Sequence, residues 1–172
     1  MACIAFSGGI SLNCENNLGG ITKVYLTDFD NIDSITASGG TVSNITLATG
    51  SVYYEFEFNR NSATLTEDLV KDIAAGSALF QQTLTLTIPR RDVPKRNVLS
   101  LLTVRDLSVI AKDGNGFYWY LGENEGMYLS ESTSTSGTAK TDGSNYVLTL
   151  LGEELDRAQA VDPSIIDGLL TA

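Results

Sequence analysis

Histidine is absent from this chain of 172 residues, and cysteine, proline and tryptophan are scarce, with two, three and one copies. Without histidine, the Ser-His-Asp and Cys-His arrangements, a histidine-ligated zinc and the usual general base near neutral pH are excluded. Carboxylates remain, but they are scattered through predicted turns and strand ends, and no signature fixes a pair at catalytic separation. The sequence therefore predicts that the protein is not an enzyme and has no catalytic residues, no cofactor and no metal.

The chain also contains few basic residues. Eleven Lys and Arg residues stand against 21 Asp and Glu residues, which gives a net charge of -10. Proteins that grip nucleic acid do so by neutralising phosphates with basic side chains, so this balance argues against that class. An acidic surface repels DNA or keeps a concentrated protein soluble. No apolar run approaches the ~18 residues of a bilayer-crossing helix, so we expect no membrane integration.

The two cysteines, Cys3 and Cys14, both lie near the start of the sequence. Their spacing fits no zinc or redox motif, and the first residues lack the basic segment and the long apolar core of a secretory signal. We therefore expect synthesis in the cytoplasm and reduced thiols. The length and a hydrophobic content of 42% are typical of one domain with a single core, covering residues 1–172.

What the sequence does contain is strand patterning. Residues 80–89 alternate strictly between aliphatic side chains and a threonine-rich face. Further strands are predicted, separated by glycine-containing turns, at 21–26, 42–47, 52–58, 107–112, 117–122, 127–132 and 145–151. The prediction is a mainly β fold, a β-sandwich or barrel-like arrangement of two packed antiparallel sheets with one short α-helix. A β core over 19–153 would lie between an amino-terminal arm, 1–18, and a carboxyl-terminal tail, 154–172.

The helix is predicted at about 93–103. Asp92 can cap its start and Pro94 suits its first turn, while Val98, Leu101 and Leu102 recur at helical spacing. A helix this short is marginal alone, so its apolar stripe must dock on a sheet. The tail carries four closely spaced aliphatic residues that favour another short helix, packed on its own domain or on a neighbour. These are Ile165, Ile166, Leu169 and Leu170.

Two local clusters, one of aspartates and one of aromatic residues, could indicate a binding site. Asp28, Asp30 and Asp33 suggest calcium, but an EF-hand loop needs glycine at its sixth position and glutamate at its twelfth, where this chain has Asp33 and Gly39. A solvated turn is the favoured interpretation. The run from Tyr118 to Tyr120 includes Trp119, but adjacent strand residues point to opposite faces and cannot form one flat sugar-stacking surface. We expect core packing on one side and an interface on the other.

Several short segments follow one another along most of the chain in a particular order. They are Cys14, Gly19-Gly20-Ile21 before Val24-Tyr25, Gln82-Thr83-Leu84-Thr85-Leu86, the short helix, a hairpin with Tyr120-Leu121-Gly122, and Leu148-Thr149-Leu150-Leu151-Gly152-Glu153-Glu154. In this order they resemble the tail tube (major tail) proteins, or related virion structural proteins, of bacteriophages of Bacteroidota-type hosts. The resemblance implies two packed β-sheets with a flanking helix, in hexameric rings that stack into a hollow tube.

The resemblance also implies a location and a set of partners. The protein would be made in the bacterial host cytoplasm and reside in the virion tail. It would contact copies of itself and other tail proteins, and would let DNA pass during ejection without specific binding. Subunits would pool strands into a continuous inner barrel, which would satisfy their open sheet edges.

On this resemblance, particular residues become candidates for the lumen and for subunit contacts. The lumen wall would be either the acidic face of Glu55 and Glu57 or the threonine face of Thr83, Thr85 and Thr87. The basic cluster would meet an acidic neighbouring subunit, although a solvated helix start explains it as well. Polar segments at 130–143, with the arm 1–18, would make inter-ring contacts. The basic cluster comprises Arg90, Arg91, Lys95 and Arg96, and the polar segment includes Ser132, Thr133, Ser134 and Thr135.

Two alternatives stay open from the sequence. One is a neck or terminator component that shares the fold but assembles as a single ring. The other is a carbohydrate- or protein-binding β-sandwich module that uses Trp119, Tyr118 or Tyr120.

Overall fold

The computed structural model describes residues 8–10, 12 and 14–171, and over these residues the mainly β fold is confirmed. The strands are β1 (Ile21–Asp28), β2 (Ile32–Ser38), β3 (Thr41–Leu47), β4 (Tyr54–Phe56), β5 (Ala63–Asp72), β6 (Ser77–Pro89), β7 (Leu107–Asp113), β8 (Tyr118–Leu121), β9 (Tyr128–Thr135), β10 (Asn145–Glu154) and β11 (Gln159–Val161). The helices are α1 (Val93–Leu102) and α2 (Pro163–Leu169). Neither helix is long and apolar enough to cross a membrane in this described part of the chain.

Four long strands form the smaller sheet, in the antiparallel order β5-β6-β10-β9. Its central strand β6 contains the alternation predicted from the sequence, with Leu84 and Leu86 fully buried and Thr83 and Thr85 half-buried on the opposite face. The predicted period is therefore confirmed. Because side chains of period two separate cleanly into two faces, one face of this sheet packs on the core and the other faces outward.

The larger sheet has seven strands in the order β2-β3-β11-β8-β7-β1-β4. Its pairs are antiparallel except one, because β11 runs parallel to β3. The prediction of antiparallel sheets therefore holds for every pair but this one. Strand β7 is buried at every position from Leu107 to Ala111, which means that this sheet is covered on both faces.

The main core lies between the two sheets. Val24 and Val109 from the larger sheet pack in one cluster with Leu84 and Leu148 from the smaller sheet. Helix α1 joins this cluster through Leu99 and Leu102. Its start matches the prediction, since the Asp92 carboxylate accepts a hydrogen bond from the Lys95 backbone N–H at 2.9 Å.

The prediction of which α1 residues pack on the core was wrong in part. The buried residues are Leu99 and Leu102, whereas Val98 and Leu101 are 46% and 62% exposed. Val98 and Leu101 lie three residues apart on the flank of the helix, next to the buried pair. The apolar stripe of α1 is therefore wider than the core that it covers.

A second core covers the outer face of the larger sheet. Helix α2 buries Ile166 and Leu169 against Tyr25, Ile110 and Tyr120. The segment expected as a tail outside the β core thus supplies both α2 and β11, which inserts between β3 and β8. Of the two possibilities for the aliphatic tail residues, packing on the chain's own domain is the one observed.

Two strand predictions need correction. Residues 32–38, expected as part of a loop, form β2, because the β-branched residues Ile32, Ile35 and Thr36 pair with β3 in register. The strand expected over 52–58 is only three residues long in β4, which pairs with β1 alone at the edge of the sheet. Tyr54, in this edge strand, is 63% exposed.

Candidate assembly surfaces

The outer face of the four-stranded sheet is rich in hydroxyl groups. Register places Thr85 between Thr64 of β5 and Thr149 of β10, and it places Thr83 beside Thr66. Thr87 is followed across the sheet by Val147 and then by Thr133. We call this surface the threonine face; it comprises Thr64, Thr66, Thr83, Thr85, Thr87, Thr133, Thr135 and Thr149.

The charges on the threonine face are of one sign. The same register brings Asp68, Asp72, Glu131 and Glu153 to this side of the sheet. No Lys or Arg occupies an outward position on these four strands, all of whose residues the structure describes. The surface therefore carries hydroxyl groups and carboxylates, interrupted by the outward aliphatic residues Val70, Leu79, Val147 and Leu151.

Glu55 lies on a different surface from the threonines. It is registered with Tyr25, whose side chain belongs to the outer core of the larger sheet. The Lys23 ammonium lies 3.0 Å from the Glu55 carboxylate, and this hydrogen bond raises the pKa of Lys23. Glu57 is exposed just after β4. Because Glu55 and the threonine face lie on opposite outer sides of the sandwich, one flat wall cannot contain both.

Both edges of the four-stranded sheet are strands that have no further neighbour among the described residues. Strand β5 is ten residues long and β9 is eight, and each pairs on one side only. An edge strand presents unpaired N–H and C=O groups that can pair with another chain. The two edges are long enough to template strand pairing between subunits.

The basic cluster surrounds the bend between β6 and α1. Lys95 is used within the subunit, since its ammonium donates to the carbonyl oxygens of Pro89 and Arg90 at 2.7 and 3.1 Å. The Arg91 guanidinium stacks over the Tyr146 ring at 5.8 Å. Arg90, Arg91 and Arg96 are nevertheless exposed, so three of the four side chains can reach a neighbour.

The serine- and threonine-rich segment is an ordered strand. Ser132, Thr133, Ser134 and Thr135 all belong to β9, pair with β10 and are exposed. Together with β10 this segment forms a hairpin arm. In its turn, the Asp142 carboxylate accepts hydrogen bonds from the backbone N–H groups of Ala139 and Thr138, which lowers the pKa of Asp142.

Between β4 and α1 lies a groove of about 740 Å³, which the sequence reasoning missed. Its floor and walls are largely apolar, with Asp28, Glu55, Glu57, Lys95 and Arg105 among the polar residues that complete the lining. We call it the β4–α1 groove; its apolar lining includes Leu26, Tyr54, Phe56, Ile88, Val98, Leu99, Leu101, Leu102 and Leu107. The signal available in the sequence was the excess width of the apolar stripe on α1.

The amino-terminal arm is anchored only near its end in the described part. The Leu18 backbone N–H donates to the Asn115 side-chain oxygen at 2.7 Å, and the Asn115 amide donates to Asn17. Described residues 8–10, 12 and 14–20 are exposed, and Cys14 is an exposed free thiol. Cys3 and the rest of the arm's first seven residues lie outside the described residues, as do Ser11 and Asn13.

The fold does not bring together the aromatic residues of the run 118–120 or the aspartates of the run 28–33. Trp119 packs against the main core and donates to the Asp113 carboxylate at 3.0 Å, while Tyr118 and Tyr120 pack in the outer core. The three rings therefore do not share a face, in agreement with the prediction. Asp28 forms an ion pair with Arg105 at 3.1 Å, and Asp33 lies on β2 rather than in a turn with it.

A small polar pocket of about 160 Å³ lies near the end of the sandwich. Within it, the buried Gln82 side-chain oxygen accepts from the Gly122 N–H at 3.1 Å, and the buried Glu154 carboxylate accepts from the Asn124 N–H at 3.1 Å. Glu67 accepts from the Ala158 N–H. These contacts satisfy buried polar groups and join the two sheets.

No family model matches this chain, and no curated protein is similar to it.

Proposed function

We propose that this chain is a virion structural protein, the subunit of a bacteriophage tail tube that assembles into stacked hexameric rings and conducts DNA during ejection. The observation that carries the proposal is the four-stranded sheet. The central part of its inner face is buried, its outer face is rich in threonine and free of Lys and Arg, and within the described residues both of its edges are long strands that pair on one side only.

The open edges give the assembly mode. If β9 of one subunit pairs with β5 of the next, the four-stranded sheets of a ring join into one closed barrel, and no edge is left exposed. Main-chain hydrogen bonds would then supply affinity across the subunit boundary. Arg90 and Arg91 follow the end of β6 and Arg96 lies in α1, and all three are exposed, so they could meet acidic side chains of the neighbouring subunit.

The threonine face is the better candidate for the lumen wall. The face that carries Glu55 is covered in part by α2 and its outer core, whereas no helix of the described residues packs on the outer face of the four-stranded sheet. Hydroxyl groups and carboxylates offer DNA phosphates no cation to bind, so the duplex would pass without adhering. On this proposal the protein is not an enzyme and works by conduction alone.

Stacking of rings would use the remaining exposed segments. These are the amino-terminal arm and the hairpin turn at 136–144, which carries the exposed Lys140. In the virion tail, the end rings would contact other tail proteins through the same segments. Synthesis would take place in the bacterial cytoplasm before assembly.

Negative-stain electron microscopy of the purified protein, with light scattering over a concentration series, tests the proposal. Hollow tubes of uniform width are expected. Isolated rings that never stack would favour the neck or terminator alternative. A monomer at every concentration would overturn self-assembly, and the carbohydrate- or protein-binding alternative would then be examined by glycan and partner screens.

A further inference from the structure

The first fourteen residues have the side-chain period of a strand. Within residues 4–12, Ile4, Phe6, Ile10 and Leu12 occupy even positions, Gly8 interrupts the apolar set, and the odd positions carry only small or polar residues. Such a pattern is typical of a strand with one buried face. The described members of the apolar set, Ile10 and Leu12, are 103% and 100% exposed. The described part of this apolar face is therefore not buried within the subunit.

The β4–α1 groove offers a surface that matches this pattern. Among the described residues, strand β4 is the last strand of its sheet and pairs only with β1, so its outer edge can accept a further strand. Tyr54 and Phe56, registered with the core residues Leu26 and Val24, lie on the side of β4 that lines the groove. An added strand would thus direct alternate side chains toward Val98 and Leu101 on the opposite wall.

The charge of the segment also fits. Residues 1–14 contain no Asp, Glu, Lys or Arg. A strand formed from them can enter an apolar groove without burying an unpaired side-chain charge, which would be costly. Few other stretches of the chain combine strand periodicity with an absence of charge, and those at 80–89 and 145–151 are already paired in the four-stranded sheet.

The occupant of the groove is a second copy of this chain. Asn17 and Leu18 tie the end of the arm to Asn115 in the turn between β7 and β8. With the arm held there, the subunit's own Tyr54 and Leu101 remain 63% and 62% exposed. The described apolar residues of the arm and the groove residues Tyr54 and Leu101 are therefore all exposed, and a contact between two copies would cover both sets.

We propose that residues 4–12 of one subunit add as a strand to the free edge of β4 in a second copy and place their apolar face in the β4–α1 groove. This inference rests on the self-assembly proposed above and identifies the contact that joins subunits outside the barrel. Strand addition of this kind takes its affinity from main-chain hydrogen bonds and its specificity from pockets for alternate side chains.

Cross-linking between two full-length species tests the proposal. Both species carry Cys3→Ser and Cys14→Ser; one adds Ile10→Cys, and the other adds Leu101→Cys and a mass tag. A short flexible bismaleimide should join them ~10-fold more than it joins the first species to a matched Asp33→Cys control, because docking raises the effective concentration of the pair. Asp33 is exposed on β2, at the opposite edge of the same sheet.

Three results would overturn the proposal: equal cross-linking to both partners, no cross-linking to either, or a bridge formed only within one chain when Ile10→Cys and Leu101→Cys are combined. Leu101→Glu should abolish assembly-dependent protection of the β4 amides from hydrogen exchange and leave the monomer folded. Different results would contradict the tube proposal and the strand contact. Specific cross-linking without tubes would contradict the tube and keep the strand contact, while tubes formed equally well by Leu101→Glu would contradict the contact and keep the tube.

Discussion

At the scale of single residues, the outer core contains a chain of three buried hydroxyl groups. The Tyr53 hydroxyl lies 2.7 Å from the Ser108 hydroxyl, which donates to the Tyr120 hydroxyl at 2.8 Å. All three side chains are almost completely buried. A buried hydroxyl group is costly unless it is hydrogen-bonded. Removing any one of these three hydroxyl groups therefore also weakens the burial of the others.

Replacing the central residue should be costly. Ser108→Ala removes the group that both tyrosine hydroxyls contact, and an unsatisfied buried polar group costs about 1–3 kcal/mol of the free energy of unfolding. Urea unfolding measures the loss. Ser43→Ala, which removes an exposed serine hydroxyl, should change the free energy of unfolding by less than about 0.5 kcal/mol.

The triple variant Tyr53→Phe, Ser108→Ala, Tyr120→Phe should cost less than the sum of the three single losses, since it leaves no orphaned partner. Strict additivity would show that the hydroxyl chain does not act as a unit.

The same tyrosines predict an alkaline loss of stability. Burial raises the pKa of Tyr53 and of Tyr120 above the ordinary value of 10.0. Above about pH 10 the unfolded chain loses these protons while the folded chain keeps them, so the free energy of unfolding falls as the pH rises. Urea midpoints between pH 8 and about 11 should be level at first and then decline.

Tyr53→Phe should make that alkaline decline shallower. Tyr128→Phe is the matched control, because Tyr128 is 46% exposed and should leave the slope unchanged. Equal slopes for the two variants would contradict a role of burial.

At the scale of elements, α2 should behave as part of the subunit core. Ile166 is buried and the adjacent Ile165 is half-buried. Ile166→Ala should lower the free energy of unfolding by about 2–5 kcal/mol, as expected for a buried large-to-small change, and Ile165→Ala by clearly less. Denaturant titration of the two variants provides the comparison. Equal small effects would mean that α2 is not docked on the sheet.

The orientation of the four-stranded sheet in a tube can be measured by chemical access. In a background of Cys3→Ser and Cys14→Ser, Thr85→Cys in assembled tubes should react with a small maleimide and be shielded from a long polyethylene glycol maleimide. Ser34→Cys, exposed on β2 of the other sheet, should react with both. The two sites would exchange behaviour if the threonine face were on the outside of the tube.

The elements differ in how far the sequence predicts them. Strands with strict alternation, such as β6, were predicted because the period alone defines their buried face. Strand β11 has only three residues and a parallel partner over a hundred positions away, so no local pattern indicates it. Which apolar residues of α1 become buried depends on the angle at which the helix packs on the sheets. That angle cannot be predicted from the sequence of the helix.

The same limit applies to the candidate surfaces. The threonines of β6 were recognised from their period, but their neighbours Thr64 and Thr149 were not. Cross-strand neighbours are set by register, which follows from pairing and turns across the whole sheet. The β4–α1 groove was missed for a similar reason, since it exists only where two elements distant in sequence leave a gap.

At the scale of the whole molecule, net charge should govern assembly. Each subunit carries a charge of -10, so bringing copies together is opposed by long-range repulsion. Salt screens exposed charges beyond about 10 Å at 0.1 M. The assembled fraction measured by light scattering should therefore rise as the salt concentration increases.

Loss of assembly with added salt would indicate instead that ion pairs made by the exposed arginines dominate the contact. Arg96→Glu tests that possibility directly, because it should then abolish assembly at low salt. A modest effect of Arg96→Glu is expected if repulsion between whole subunits is the main electrostatic term.

The position of β11 also determines when a complete subunit exists. The β2–β3 hairpin joins the rest of its sheet only through β11, although β3 ends at Leu47 and β11 begins at Gln159. During translation the hairpin must wait, unjoined, until more than a hundred further residues have left the ribosome. The larger sheet is therefore complete only after β11 has emerged from the ribosome.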